Sequence, residues 1–78
     1  MQIHIGNLIR DELRRQGHTN EWLYERIGVS ERTLQRLLNK PSVDTQQLYL
    51  ISSVLNTDFF HYYSNALSVR QNLTPVNN

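Results

Sequence analysis

The chain has no cysteine, so neither a disulfide nor a thiolate-bound metal can staple its fold. A domain of 78 residues must then be held by packing. That is marginal at this size unless helices pack tightly or the chain oligomerises. Apolar residues never run for the ~20 positions that span a bilayer. The opening Met1-Gln-Ile-His-Ile lacks the basic region and long apolar stretch of a signal peptide. These absences predict a cytoplasmic protein that does not meet a membrane. His4, His18 and His61 have no ligand spacing such as HExxH, so no metal site is expected. The serines have no base at a recognisable spacing, and no glycine-rich phosphate loop occurs. Neither catalysis nor a cofactor is expected. Lysine is nearly absent: seven of the eight basic residues are arginine, and the net charge is only +1. So weak a charge does not by itself mark a nucleic-acid binder. The arginines matter by position, because a guanidinium suits planar, bidentate recognition better than an ammonium does.

What is present is one informative segment, from Thr19 to Lys40. It reads as two short helices joined by a tight turn at Gly28-Val29-Ser30. Leu23 and Ile27 share a helical face before the turn. Leu34, Leu37 and Leu38 share one after it. Gly28 can adopt the positive φ of a sharp helix exit. Ser30 can cap the second helix with its hydroxyl. Behind the apolar face lies a polar strip of Glu31, Arg32, Gln35, Arg36 and Asn39. These residue types hydrogen-bond base edges and phosphates. Arg32, Arg36 and Lys40 recur at every fourth position and line one face. The pattern is that of a helix-turn-helix, and it predicts sequence-specific DNA binding.

The rest of the chain predicts an all-α domain of five helices. The first covers Ile5 to Gln16, with Ile5, Leu8, Ile9 and Leu13 as its buried stripe and Gly17 as its stop. Thr19 caps the second, Asn20 to Ile27. The third runs from Glu31 to Asn39 and is stopped by Pro41. Ser42 or Asp44 caps the fourth, Thr45 to Leu55, with Leu48, Ile51 and Leu55 facing the core. Asp58 caps a short fifth helix, Phe59 to Asn65. Beyond Ala66, the residues Leu67, Val69, Gln71 and Leu73 alternate with polar ones. That alternation predicts a short strand, or else a frayed tail that ends beyond Pro75. Residues 1–65 are therefore expected to form the DNA-binding domain. Residues 66–78 are expected to be a C-terminal tail that serves dimerisation. No repeat or low-complexity segment is seen.

The ordered pieces resemble the lambda-repressor-like, Cro/CI-type (XRE) domain over Ile5 to Phe60. They are Ile5-Gly6, Leu23-x3-Ile27-Gly28-Val29-Ser30, Thr33-Leu34-x-Arg36-Leu37, Pro41-Ser42 and Val54-Leu55-Asn56. The resemblance implies a bacterial or phage transcriptional regulator that binds palindromic operators as a dimer. Two departures are visible. The family favours a small residue where Tyr24 stands, so its ring is expected either to widen the helix crossing or to turn outward. The linker Asn39-Lys40-Pro41 is also short.

The expected DNA-binding set is Thr19, Asn20, Ser30, Glu31, Arg32, Thr33, Gln35, Arg36, Asn39 and Lys40. Gln35 and Arg36 are the candidates for base contact, since Gln can bridge adenine and Arg guanine. Glu31 equally suits the helix dipole in the first turn. Thr19 and Asn20 begin a helix whose free N–H groups can hold a phosphate, as that terminus does in the family resembled. Trp22 is assigned to core or interface. The expected dimer surface is Leu50, Val54, Phe59, Phe60, Tyr62 and Tyr63. With no second large domain in the sequence, a stand-alone repressor or an antitoxin-like autoregulator is expected. An initial Met1 and a tapering tail add the expectation of a whole chain. The competing expectation is an adaptor that uses the same fold to bind protein.

Overall fold

A computed structural model describes residues 2–73, with side chains through Arg70. Its described residues form five helices and no strand: α1 (Ile5–Arg15), α2 (Asn20–Ile27), α3 (Glu31–Leu38), α4 (Thr45–Leu55) and α5 (His61–Leu73). The all-α class and the five-helix order are as expected.

Local chemistry sets most boundaries. His4 opens α1, its Nδ1 accepting from the Asn7 amide at 3.0 Å. Gly17, at φ 79°, closes the turn after α1. Thr19, Ser30 and Asp44 cap α2, α3 and α4, each accepting from the amide three residues on. Such a bond satisfies one of the four N–H groups that a helix start leaves unpaired. Asp44, not Ser42, performs this at α4, at 2.7 Å from the Gln47 amide. Asn56 ends α4 in the left-handed region, a conformation that asparagine tolerates better than most residues.

One core joins the helices. It contains Ile5, Ile9 and Leu13 of α1, Leu23 and Ile27 of α2, Leu34, Leu37 and Leu38 of α3, Leu48, Ile51 and Leu55 of α4, and Phe59. No buried polar side chain interrupts it among the described residues. The apolar stripes expected from helical spacing are thus the residues that are buried, except that Leu8 is half-exposed. α3 packs against α1 and α2, and α4 packs against α2.

Two corrections concern the C-terminal third. Phe59, assigned to a dimer surface, is fully buried. It lies before α5, in the turn whose Asp58 carboxylate accepts from the Phe60 amide at 3.0 Å. Only this ring of the aromatic cluster is fully buried, while Phe60 and Tyr62 pack against the core partly exposed, and the backbone turn decides which ring enters. The predicted strand is helix: α5 runs to Leu73. A strand needs a partner to pair with, and none exists among the described residues. Once a helix is nucleated, each further residue costs little. As helix, the alternating residues do not share a face, and Leu67 and Val69 stay 55% and 57% exposed. The domain division expected at residue 65 therefore falls inside α5. The expected fraying at Pro75, Asn77 and Asn78 lies outside the described residues.

The Cα atoms extend over 47 × 21 × 18 Å, with a radius of gyration of 14.3 Å. A compact domain of this length has a radius of gyration of about 12 Å. The excess matches α5, whose residues from Tyr63 to Arg70 are exposed except for Ala66.

Candidate nucleic-acid interface

The turn between α2 and α3 positions the expected reading helix. Gly28 adopts φ 74° and ψ 33°. Its amide and that of Val29 both donate to the Tyr24 carbonyl, the latter at 3.0 Å. The chain then swings into Ser30, whose Oγ accepts from the Thr33 amide at 3.1 Å and donates to Thr33 Oγ1 at 3.0 Å. The Ser30 hydroxyl is thereby committed to the turn. Thr33 is half-buried.

α3 has two unlike faces. Leu34, Leu37 and Leu38 are 0, 8 and 1% exposed and fix the helix to the core. Glu31, Arg32, Gln35 and Arg36 are exposed, and Asn39 and Lys40 continue the exposed strip past the helix end. Thr19 and Asn20 at the start of α2 are exposed too. All ten expected DNA-binding residues therefore lie on or beside α3 or at the α2 N-terminus. Nine are exposed, and Thr33 is the one that is not.

The charges on this surface are unspent. Among the described residues the only ion pair is Arg15 with Glu12. Arg10, Arg26, Arg32, Arg36 and Lys40 have no carboxylate partner there. Glu12 behaves differently from the rest. Hydrogen bonds from Arg15 and Gln16 lower its pKa to about 2. Gln16 also donates to the Leu55 carbonyl at 2.9 Å, so this cluster braces α1 against the end of α4, away from α3.

Two contacts escaped the sequence reading. The first involves Arg10 of α1. Its Nη2 donates to Asn39 Oδ1 at 3.1 Å, across 29 positions of sequence. The only advance signal was Gly6, one turn earlier in α1, where the backbones of α1 and the α3 exit meet. There the Ile5 amide donates to the Pro41 carbonyl at 2.8 Å and the Gly6 amide to the Lys40 carbonyl at 3.0 Å. The second is a stack along α2. The His18 imidazole lies on the Trp22 indole with centroids 3.5 Å apart and planes within 4°. The Arg26 guanidinium sits 4.3 Å from the indole centroid. Trp22 packs partly against the core, and its ring is already occupied by neighbours. Tyr24 is half-buried against the core. Burial first, then the fields of Glu21, Glu31 and Glu25, push its hydroxyl pKa up.

The residues assigned to a dimer surface separate into groups. Tyr62 and Tyr63 line an apolar groove with Ile3, Ala66, Leu67 and Val69. Phe60 instead shares two other depressions with Tyr49. Leu50 is 38% exposed, and Val54 is half-buried against the core. Among the described residues there is no cluster of side chains able to hold a metal ion. No helix among the described residues is long and apolar enough to cross a membrane. Compared with known families, curated proteins and solved structures, the chain matches none.

Proposed function

We propose that this chain is a sequence-specific DNA-binding transcriptional regulator of the lambda-repressor-like (Cro/CI, XRE) kind. In this reading it is a repressor that occupies a palindromic operator as a homodimer in the cytoplasm, without catalysis or cofactor. α3 enters the major groove. Its strip of Arg32, Gln35, Arg36 and Asn39 meets base edges and phosphates, and Lys40 and the α2 N-terminus meet phosphates. The observation that carries the reading is the two-faced α3: an exposed polar strip with unpaired arginines, backed by three buried leucines and introduced by a capped glycine turn.

Selection of bound sequences from a random duplex pool tests this directly. An enriched palindromic site is expected. Binding should also fall with salt, by about 0.9 in log K per decade for each phosphate contact. Three or four such contacts per protomer are expected from Arg32, Arg36, Lys40 and the α2 start. No enrichment together with a flat salt response would overturn the reading.

A second reading, a protein-binding adaptor or antitoxin-like module, is favoured by a different surface. Tyr49 is 66% exposed beside Phe60, and the depressions around them are lined by Asp44 and Asp58 with no cation. A flat salt response would turn attention to it.

A further inference from the structure

We infer that Arg10 of α1 and Asn39 at the end of α3 form a positively charged, donor-rich site, which binds a backbone phosphate of the DNA. The inference rests on the DNA-binding reading above and adds to it a helix that the reading does not use.

The geometry begins at Gly6. Its amide is bonded to the Lys40 carbonyl, so the first turn of α1 is fixed to the chain leaving α3. Arg10 lies four residues on and therefore on the same face of α1. Its side chain is half-buried, and Nη2 reaches Asn39 Oδ1 at 3.1 Å. A guanidinium has five N–H donors and no acceptor. Two consequences follow. The Asn39 carboxamide must turn its oxygen toward Arg10, which leaves its NH2 group directed elsewhere. Arg10 also keeps donors beyond the one that Asn39 occupies, and no carboxylate claims them among the described residues. The pair presents N–H groups and one positive charge, and Arg10 already occupies one lone pair of the Asn39 oxygen. That chemistry suits a phosphate, whose oxygens only accept and carry the opposite charge. The site adjoins the exposed Arg36 and Lys40, so a duplex held by α3 brings its phosphates to it.

The test uses the intact chain and duplex DNA, with affinity measured across a salt series. Arg10→Gln keeps a polar, shorter side chain and removes the charge. It should weaken binding to operator and to random duplex by the same factor, about tenfold, and make the salt slope shallower by about 0.9. Arg10→Lys should return the slope. Asn39→Ala should weaken binding as well, and its effect should not add to that of Arg10→Gln, because the two groups act on one phosphate. A merely structural Arg10 would lower the melting temperature and leave the slope alone. If wild-type chain binds duplex while Arg10→Gln and Arg10→Lys share its affinity and slope, the site is overturned and the DNA reading stands. If wild-type chain binds no duplex, both fall. Inorganic phosphate separates the sources: millimolar phosphate that competes no better than chloride at equal ionic strength shows a site that needs the duplex. Saturation by free phosphate would overturn the assignment to DNA.

Discussion

Gly6 and Leu38 are in backbone contact: a Cβ built on Gly6 would overlap the Leu38 carbonyl oxygen and lie 2.7 Å from the Lys40 oxygen. No flexible side chain can yield there, because both atoms are main chain. Gly6→Ala is expected to push α1 away from the α3 exit and break the two hydrogen bonds donated by the Ile5 and Gly6 amides. Overpacking of this kind costs about 1–3 kcal/mol. A domain of this size loses roughly 4–8 °C of melting temperature per kcal/mol. Gly17 makes the control, since nothing lies within 4 Å of its Cβ position and only its φ opposes a side chain. A Gly6→Ala melt equal to wild type would show that the two helices have room to part.

The contrast between these glycines shows what the sequence could disclose. Gly17 and Gly28 act within their own turns, and the caps at Thr19, Ser30 and Asp44 each reach three residues forward. Such features are written locally and are legible. The leucine stripe of α3 is legible too, because helical spacing leaves it one face to bury. Gly6 and Arg10 act across the fold, on residues 32 and 29 positions away. Apart from Gly6 itself, no pattern inside α1 announces those partners. Phe59 and the helical Leu67–Leu73 fail for another reason. Which of several adjacent rings enters a core depends on where a turn aims it. Alternation becomes a strand only when another strand is present to pair with.

Acid should loosen the brace between α1 and α4. Glu12 is held to about 2 by Arg15 and Gln16, against an ordinary value of 4.5. A folded pKa below the unfolded one favours the fold while the carboxylate is ionised. The contribution is complete above 4.5 and is lost as pH falls from there through about 2. Glu12→Gln should therefore lower stability at neutral pH and flatten its decline across that window. Denaturation midpoints measured across the window decide it. Parallel declines for variant and wild type would mean that another group carries the acid sensitivity.

Arg36→Ala should weaken specific DNA binding by about 1–3 kcal/mol, the value of a bidentate base contact, while random duplex is affected less. Helicity should be retained, because Arg36 is exposed. Leu34→Ala makes the opposite case: it empties a fully buried site and should cost about 2–5 kcal/mol of stability. Titration of both variants with operator, alongside thermal melts, separates reading from folding. Full operator affinity in a folded Arg36→Ala chain would remove Arg36 from the interface.

The last prediction is that the protein dimerises through α5. A lone reading helix covers too few base pairs to single out one site in a genome. A twofold dimer sets two such helices one DNA turn apart, about 34 Å. The expected surface spanned α4 and the aromatic cluster, yet Phe59 is buried and Val54 leans on the core. Three of the five exposed large apolar side chains among the described residues are on α5: Tyr63 at 40%, Leu67 at 55% and Val69 at 57% exposed. An isolated helix of 13 residues is marginal in water, so most of its stability must come from packing. Arg70 is the only Lys, Arg, Asp or Glu residue in α5, so a second copy meets little charge repulsion there. Leu67→Glu should convert a dimer to monomer at micromolar concentration in sedimentation, with the fold retained because the side chain is exposed. Deletion of residues 66–78 should do the same, since the core ends at Phe59. Operator affinity should fall in both, because two half-sites are then bound independently. A wild-type chain that stays monomeric on operator DNA would sink the idea. A dimer that survives both changes would move the contact to Tyr49 and Leu50, the large apolar side chains of α4 that remain exposed.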